Sequence, residues 1–99
     1  MEFNEICIGL PVFNESKNIL GTLEKTLDYV EKYKNWQIII VDNNSTDNSV
    51  EVINNFIKNK IIHINNKIKF IKNEKNLFYS GSSEIILQNS IFNTVGIVD

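Results

Sequence analysis

The chain has 99 residues, a formal net charge of −2 and a pI near 5.4, so one small domain is expected and no basic excess predicts nucleic-acid binding. Cys7 is the single cysteine, which excludes an internal disulfide, and its apolar neighbours predict a buried, unreactive thiol. No apolar run approaches the roughly 18 residues of a membrane span, and the acidic start of the chain differs from a secretory signal.

Apolar runs of strand length alternate with segments of helical periodicity along the chain. Ser16 is a candidate cap for the first helix, and residues 45–47 offer caps for the second. The pattern predicts strands at 6–10, 37–41, 67–71 and 95–98, the first of them ended by Pro11. The helix between the first two strands has its apolar side chains on one face: Ile19, Leu20, Leu23, Leu27 and Val30. The next helix turns Val50, Ile53 and Ile57 inward, and a third helix is predicted at 80–92. The segment 59–67 fits a helix tail, a short strand or a loop.

This alternation predicts right-handed crossovers and a mostly parallel sheet covered by helices. Ligands of such sheets bind outside the carboxyl ends of the strands. Three of the predicted strands are followed at once, or within a few residues, by a carboxylate: Glu15, Asp42 and Asp99. We therefore expect these three side chains to gather around one binding cleft.

The polar stretch 42–47 joins the second strand to the second helix. Asp47 is a favoured helix cap, whereas Asp42 comes too early to cap and either binds a ligand or braces the loop through backbone N–H groups. Asn14 and Ser16 likewise either cap the first helix or border the cleft. The sequence has neither a G-x-G-x-x-G loop nor a P-loop lysine, which disfavours dinucleotide and Walker-type sites.

Four motifs, in this order, resemble the opening of a family 2 glycosyltransferase with the GT-A fold. They are ICIGLPVFNE (6–15), QIIIVDNNSTDNS (37–49), NLFYSG (76–81) in the place of an N-x-G segment, and Val98-Asp99 at the start of a D-x-D motif. The resemblance implies a Rossmann-like α/β/α fold of three layers, with a mostly parallel four-stranded sheet in the order 3-2-1-4. Residues 1–99 would form the nucleotide-sugar-binding part of a larger glycosyltransferase domain, truncated at D-x-D.

The resemblance also implies roles for individual residues beside the donor nucleotide. Asp42 would accept a hydrogen bond from the base, commonly the uracil ring N–H, which favours a UDP-sugar. The other residues implied to lie near the nucleotide are Pro11, Asn14, Glu15, Lys72 and Lys75. For the two lysines the alternative is an ordinary solvated side chain.

Asp99 would face the ribose and the metal-bound diphosphate as the first aspartate of D-x-D. A divalent cation, Mg²⁺ or Mn²⁺, would stabilise the leaving diphosphate of the full-length enzyme. The second aspartate, the catalytic base and the acceptor half would lie downstream, so we expect this chain to hold no metal tightly and to be inactive by itself. The parent enzyme would transfer the sugar to a saccharide or lipid-linked acceptor hydroxyl with inversion, in the cytoplasm, with any membrane association supplied by downstream regions.

Two departures from the family pattern keep other functions open. Phe78 stands where the family usually has Gly, and Glu84 stands where Asn is common; a ring and a carboxylate there would narrow or repel part of a diphosphate pocket. The alternative is a degenerate, non-catalytic module that binds a nucleotide or a protein. A receiver-like domain phosphorylated on Asp42 is a further alternative, but residues 10–12 lack the acidic pair that such domains carry.

The sheet edge at 95–98 would also permit self-association.

Overall fold

Four strands and three helices alternate in the computed structural model, which describes residues 4–64 and 66–98, with the backbone alone for 61–64. They are β1 (Glu5–Val12), α1 (Ile19–Val30), β2 (Asn35–Asp42), α2 (Ser49–Ile64), β3 (Ile68–Lys72), α3 (Phe78–Asn89) and β4 (Val95–Ile97). All three strand pairings are parallel and the sheet order is β3-β2-β1-β4. The predicted parallel sheet and its order 3-2-1-4 are therefore confirmed.

Helices cover both faces of the sheet, because β1 and β2 are apolar on both sides. One face of β1, with Ile8 and Leu10, packs in a single apolar cluster with α1 and α2. The opposite face, with Cys7 and Ile39, packs against Ile86 of α3. This arrangement is the predicted α/β/α stack of three layers, and Cys7 is fully buried in it as expected.

Gly9 lets α3 approach the centre of the sheet. An added Cβ at this position would lie 2.6 Å from Cδ1 and 2.9 Å from Cγ1 of Ile86, well inside contact distance. Since the neighbouring strand positions carry branched side chains, the absence of a side chain at Gly9 creates the space that Ile86 fills.

Pro11 does not end the first strand, contrary to the prediction. β1 continues to Val12, and Pro11 pairs in register with Val41. Backbone groups of Gly9 bond toward β4, whereas Val12 O accepts a hydrogen bond from the β2 side. The Pro11 nitrogen therefore points toward β4. The β1–β4 pairing ends at Gly9, two residues before Pro11, so the missing N–H of Pro11 removes no hydrogen bond between these strands.

Two other helices differ from the prediction at their ends, and the structure decides among the three alternatives for the segment 59–67. α1 begins at Ile19 after Asn18, so Ser16 is not its cap. Most of the segment 59–67 is the tail of α2, which runs to Ile64. α3 begins two residues earlier and ends three residues earlier than the predicted 80–92, since Ser90 has an extended backbone. Among the described residues, none of the helices combines the length and the apolar character needed to cross a membrane.

Candidate functional site

The carboxyl ends of β1, β2 and β3 lie side by side at one edge of the sheet. Val12 pairs with Asp42, and Asp42 pairs with Lys72, so the three following loops leave the sheet at the same level. We call these loops the rim: residues 13–18, 43–48 and 73–77. Ligands of open parallel sheets bind at this edge, so the rim is the expected position of a binding site.

Asn14 and Ser45 join the first two loops of the rim. Ser45 Oγ accepts a hydrogen bond from Asn14 N–H at 2.9 Å, and Asn14 Oδ1 accepts one from Thr46 N–H at 2.8 Å. Asn14 has a φ of 52°, a left-handed conformation that Asn tolerates better than most residues. Asn14 therefore does not cap α1; it fixes the first loop to the second.

A second serine repeats this arrangement at the start of α2. Ser49 is fully buried, and its Oγ accepts a hydrogen bond from Glu15 N–H at 2.8 Å while donating to Asp47 Oδ1 at 2.5 Å. Asp47 Oδ1 also accepts from Ser49 N–H at 2.9 Å, so Asp47 satisfies the first N–H of α2, although Asn48 is the residue that directly precedes the helix. The Ser49 hydroxyl is the main reason that the pKa of Asp47 falls from 3.8 to about 2.

Asp42 lies at the base of the rim with 1% of its surface exposed. Its Oδ2 accepts a hydrogen bond from Ser45 N–H at 2.9 Å, and its Oδ1 accepts one from Ser45 Oγ at 2.5 Å. Of the two roles left open for Asp42, loop bracing is thus present in the structure. An ionised carboxylate has about four acceptor sites, so two bonds leave capacity for a ligand.

Asn43, which the sequence interpretation did not single out, connects the third loop to the other two. It is 3% exposed, donates from Nδ2 to Ser82 Oγ at 2.5 Å and accepts at Oδ1 from Asn73 Nδ2 at 3.0 Å and from Leu77 N–H at 3.4 Å. Within the described part of the chain, every buried polar side-chain atom has a partner. The signal that could have identified Asn43 is a polar residue just after a buried strand. Asp42, its neighbour, gives the same signal and was chosen as the candidate instead.

An open cavity of about 260 Å³ lies on the rim. Its lining combines aromatic and polar side chains from all three loops and the adjoining strand and helix ends: Pro11, Val12, Phe13, Glu15, Asn43, Asn76, Phe78 and Tyr79. The three aromatic side chains are 44% to 70% exposed, so their ring faces are available to a ligand. Phe13 and Tyr79 were not predicted as site residues, because an exposed ring gives no periodic signal, whereas the ring of Phe78 was expected to narrow a diphosphate pocket.

The predicted site residues are not all equivalent in this geometry. Pro11 and Glu15 line the cavity, while Asn14 and Asp42 fix the loops beneath it. Lys72 ends β3 with an exposed side chain and is not part of the described lining of the cavity. Asp99 lies outside the described residues, and so does its predicted contact with the ribose and the metal.

The described residues do not by themselves form a metal site. Where the structure places side chains, no group of three His, Cys, Asp or Glu residues is arranged to hold a metal ion. Both oxygens of Asp42 bond to Ser45, and Glu15 is the one carboxylate in the described lining of the cavity. These residues could contact a donor but supply too few ligands for a divalent cation.

Curated relatives of this chain transfer sugars. A stretch of 72 residues, 73% of the chain and 22% of the relative, is 38% identical to a dolichyl N-acetyl-alpha-D-glucosaminyl phosphate 3-beta-D-2,3-diacetamido-2,3-dideoxy-beta-D-glucuronosyltransferase of Methanococcus voltae. A stretch of 53 residues, 48% of the chain and 16% of the relative, is 36% identical to the dolichyl-phosphate beta-glucosyltransferase ALG5C of Trichomonas vaginalis. The chain thus spans less than a quarter of the length of either relative.

Solved structures share the fold at lower identity. The TarS protein of S. aureus (residues 1–349) matches 96% of this chain over 27% of its own length, with a TM-score of 0.75 and 21% identity. The mannosyltransferase PcManGT from Pyrobaculum calidifontis, solved with GDP-Man and Mn²⁺, matches 86% of this chain over 24% of its own length, with a TM-score of 0.71 and 17% identity. The model of glycosyl transferase family 2 matches residues 7–97. The chain therefore belongs to glycosyl transferase family 2 and has its Rossmann-like GT-A fold.

Proposed function

We propose that this chain is the donor-binding part of a glycosyltransferase that moves a sugar from a nucleoside-diphosphate sugar to an acceptor hydroxyl. The observation that carries the proposal is the rim cavity, where Pro11 and Glu15 share the lining with Asn43 and Asn76 from the loops that follow β2 and β3. Its place at the carboxyl edge of a parallel sheet is the usual place for a nucleotide. The family and the two curated sugar transferases support the same reaction class.

The finer parts of the proposal concern the donor, the acceptor and the metal. UDP is the proposed nucleotide, because Asp42 keeps acceptor capacity for a ring N–H at the base of the rim. The relatives named for dolichyl phosphate substrates support a lipid-linked acceptor. A divalent cation is proposed for the full-length enzyme on the precedent of PcManGT with Mn²⁺, with Asp99 as one ligand. Transfer with inversion remains part of the proposal.

Binding of nucleotides by the 99-residue chain tests the donor site directly. We expect UDP to bind more tightly than CDP in calorimetric titrations, because cytosine has no ring N–H to donate to Asp42. Amide chemical shifts should change in the rim rather than on α2. Titrations with and without Mn²⁺ should give similar affinities if the described residues hold no metal. A chain that binds neither UDP nor GDP at millimolar concentration would refute the proposal.

We also propose that the chain alone does not catalyse transfer, since the described residues include no complete metal site. Incubation with UDP-glucose should release no UDP above the background of a chain-free sample. Turnover close to that of a longer family member would contradict this proposal.

A cytoplasmic location is a further prediction, which fractionation of cells expressing the longer protein would test.

Self-association through β4 is the last part of the proposal. β4 pairs with β1 on one side, and its residues Val95 to Ile97 are half-buried, while Val98 is 41% exposed. An unpaired strand edge with apolar side chains favours pairing with a second copy. The backbone groups of Thr94 and Val98 bond to β1, so the N–H of Ile97 faces the outer edge. Sedimentation across a concentration series should show dimers that Ile97→Pro weakens, and a monomer at all concentrations would count against this contact.

A further inference from the structure

Phe78 has a backbone conformation that its side chain does not favour. Its φ is 58°, in the left-handed region where bulky residues are rare, and its N–H donates to Asn76 Oδ1 at 2.7 Å. The Asn76 bond holds the backbone in this state at the first residue of α3. Conformations of this kind persist where the surroundings impose them, and they cluster at ligand sites.

Packing does not explain why a large ring occupies this position. The side chain of Phe78 is 70% exposed, so it buries little apolar surface in return for the unfavourable backbone. Glycine would adopt the same φ without strain. A ring that contributes little to the core, in a conformation suited to glycine, points to a contact outside the folded chain.

That ring lies on the wall of the rim cavity. Tyr79, 50% exposed, and Phe13, 44% exposed, are the other aromatic residues of the lining, and Asn43 and Asn76 add amide groups. A volume of about 260 Å³ is just below the roughly 300–1,000 Å³ of pockets that enclose drug-sized ligands. It suits one planar group with polar edges better than a whole nucleotide-sugar.

The geometry points to Phe78 as a residue that determines donor affinity by stacking on the nucleobase. This inference rests on the proposed donor binding and adds a residue that the family pattern does not supply. Stacking tolerates any base, because every base has a π face. Phe78 therefore strengthens the binding of UDP and GDP alike, whereas Asp42 is the group that distinguishes between bases.

Calorimetric titration of the 99-residue chain with UDP, GDP and pyrophosphate tests this contact. Phe78→Ala should weaken the binding of both nucleotides by roughly 5- to 150-fold and leave pyrophosphate, which has no base, unchanged. Phe78→Tyr keeps the ring and should keep the affinity. The matched control is Leu87→Ala, which removes an exposed apolar side chain from α3 outside the cavity lining.

Phe78→Gly separates the ring from the backbone strain. This variant should unfold at a higher temperature than the Phe78→Ala variant and yet bind UDP equally weakly. A lower unfolding temperature for Phe78→Gly than for Phe78→Ala would remove the premise of a strained backbone. Circular dichroism of each variant confirms that the titrated chain is folded.

The outcomes distinguish this inference from the proposed function. A wild-type chain that binds no nucleotide refutes donor binding itself, and the inference with it. Normal UDP binding by Phe78→Ala, or an equal loss of pyrophosphate binding, refutes the stacking contact alone. Tighter UDP binding by Phe78→Ala also overturns it, because the ring would then obstruct the donor.

Discussion

Replacement of Asn43 by Ala tests whether one buried amide fixes the third loop of the rim. The side chain bonds to Ser82 on α3 and to Asn73 and Leu77 in the loop, and it is 3% exposed. Alanine removes all three bonds and leaves their partners without replacement inside the protein. We expect the loop to separate from the ends of β1 and β2, and the folded state to lose stability.

The size of the effect follows from the geometry of the three bonds. The bonds to Ser82 and Asn73, at 2.5 and 3.0 Å, are well formed, and the bond to Leu77 N–H, at 3.4 Å, is weak. At about 1 kcal/mol for each good bond, with an added penalty for buried partners left unpaired, the loss is about 2–3 kcal/mol. In a domain of this size that corresponds to a fall in Tm of roughly 10–20 °C.

Urea denaturation followed by circular dichroism measures this loss, and a double-mutant cycle assigns it. Ser82→Ala alone should cost about 1 kcal/mol, and the double variant should cost less than the sum because both changes remove the same bond. Asn54→Ala, on the exposed side of α2, is the control and should be neutral or slightly stabilising. An Asn43→Ala chain within 0.5 kcal/mol of wild type, or strictly additive losses, would refute the reasoning.

Three further predictions concern the core and the acid stability of the rim. Gly9→Ala should destabilise the chain by about 1–3 kcal/mol in urea, because the new Cβ meets Ile86, and an unchanged midpoint would contradict the close packing. The lowered pKa of Asp47 means that its carboxylate stabilises the folded state above pH 3.8, a contribution lost as the pH falls toward about 2. Ser49→Ala removes the main cause of that shift. The free energy of unfolding of this variant should therefore fall less steeply between these pH values than that of wild type, and an identical slope would argue that Ser49 does not lower the pKa of Asp47. Burial raises the pKa of the Cys7 thiol, so iodoacetamide should modify this thiol only after urea is added. Mass spectrometry measures the modification, and rapid labelling of the folded chain would be inconsistent with the position of Cys7 in the core.

The order of the elements could be predicted from the sequence because each strand and helix carries its own periodic signal. The apolar faces of β2 and α1 are visible in segments of five to twelve residues, and alternation then implies a parallel sheet. The extent of β1 could not be predicted in this way. Whether Pro11 interrupts a strand depends on which neighbour its nitrogen faces, and that depends on where β4 stops.

The rim was predictable only in outline. Asp42 and Glu15 were expected to meet at one edge, and the structure places Glu15 in the first loop of the rim and Asp42 at its base. Their hydrogen-bond partners were not foreseen, because Ser45 and Ser49 act across loops more than 30 residues apart from Asn14 and Glu15. Such contacts depend on backbone angles that no residue pattern records.

Phe78 shows how a departure from a family pattern gains a physical meaning. The resemblance to the family implied that glycine is usual at this position, without giving the reason. The φ of 58° supplies it, since the loop requires a left-handed residue there. What the sequence could not reveal is the left-handed backbone of Phe78 and the hydrogen bond from its N–H to Asn76 Oδ1.

Each of the three loops around the cavity contains one left-handed residue or borders one: Asn14, Asn44 and Phe78. None of the four glycines, all within the described part of the chain, has such an angle. Loops bent by glycine would sample many shapes, and a ligand would have to restrict them on arrival. Here side-chain amides and hydroxyls have already restricted at least two loops when the chain folds. A small molecule should therefore associate with a low conformational entropy penalty and leave the backbone almost unmoved.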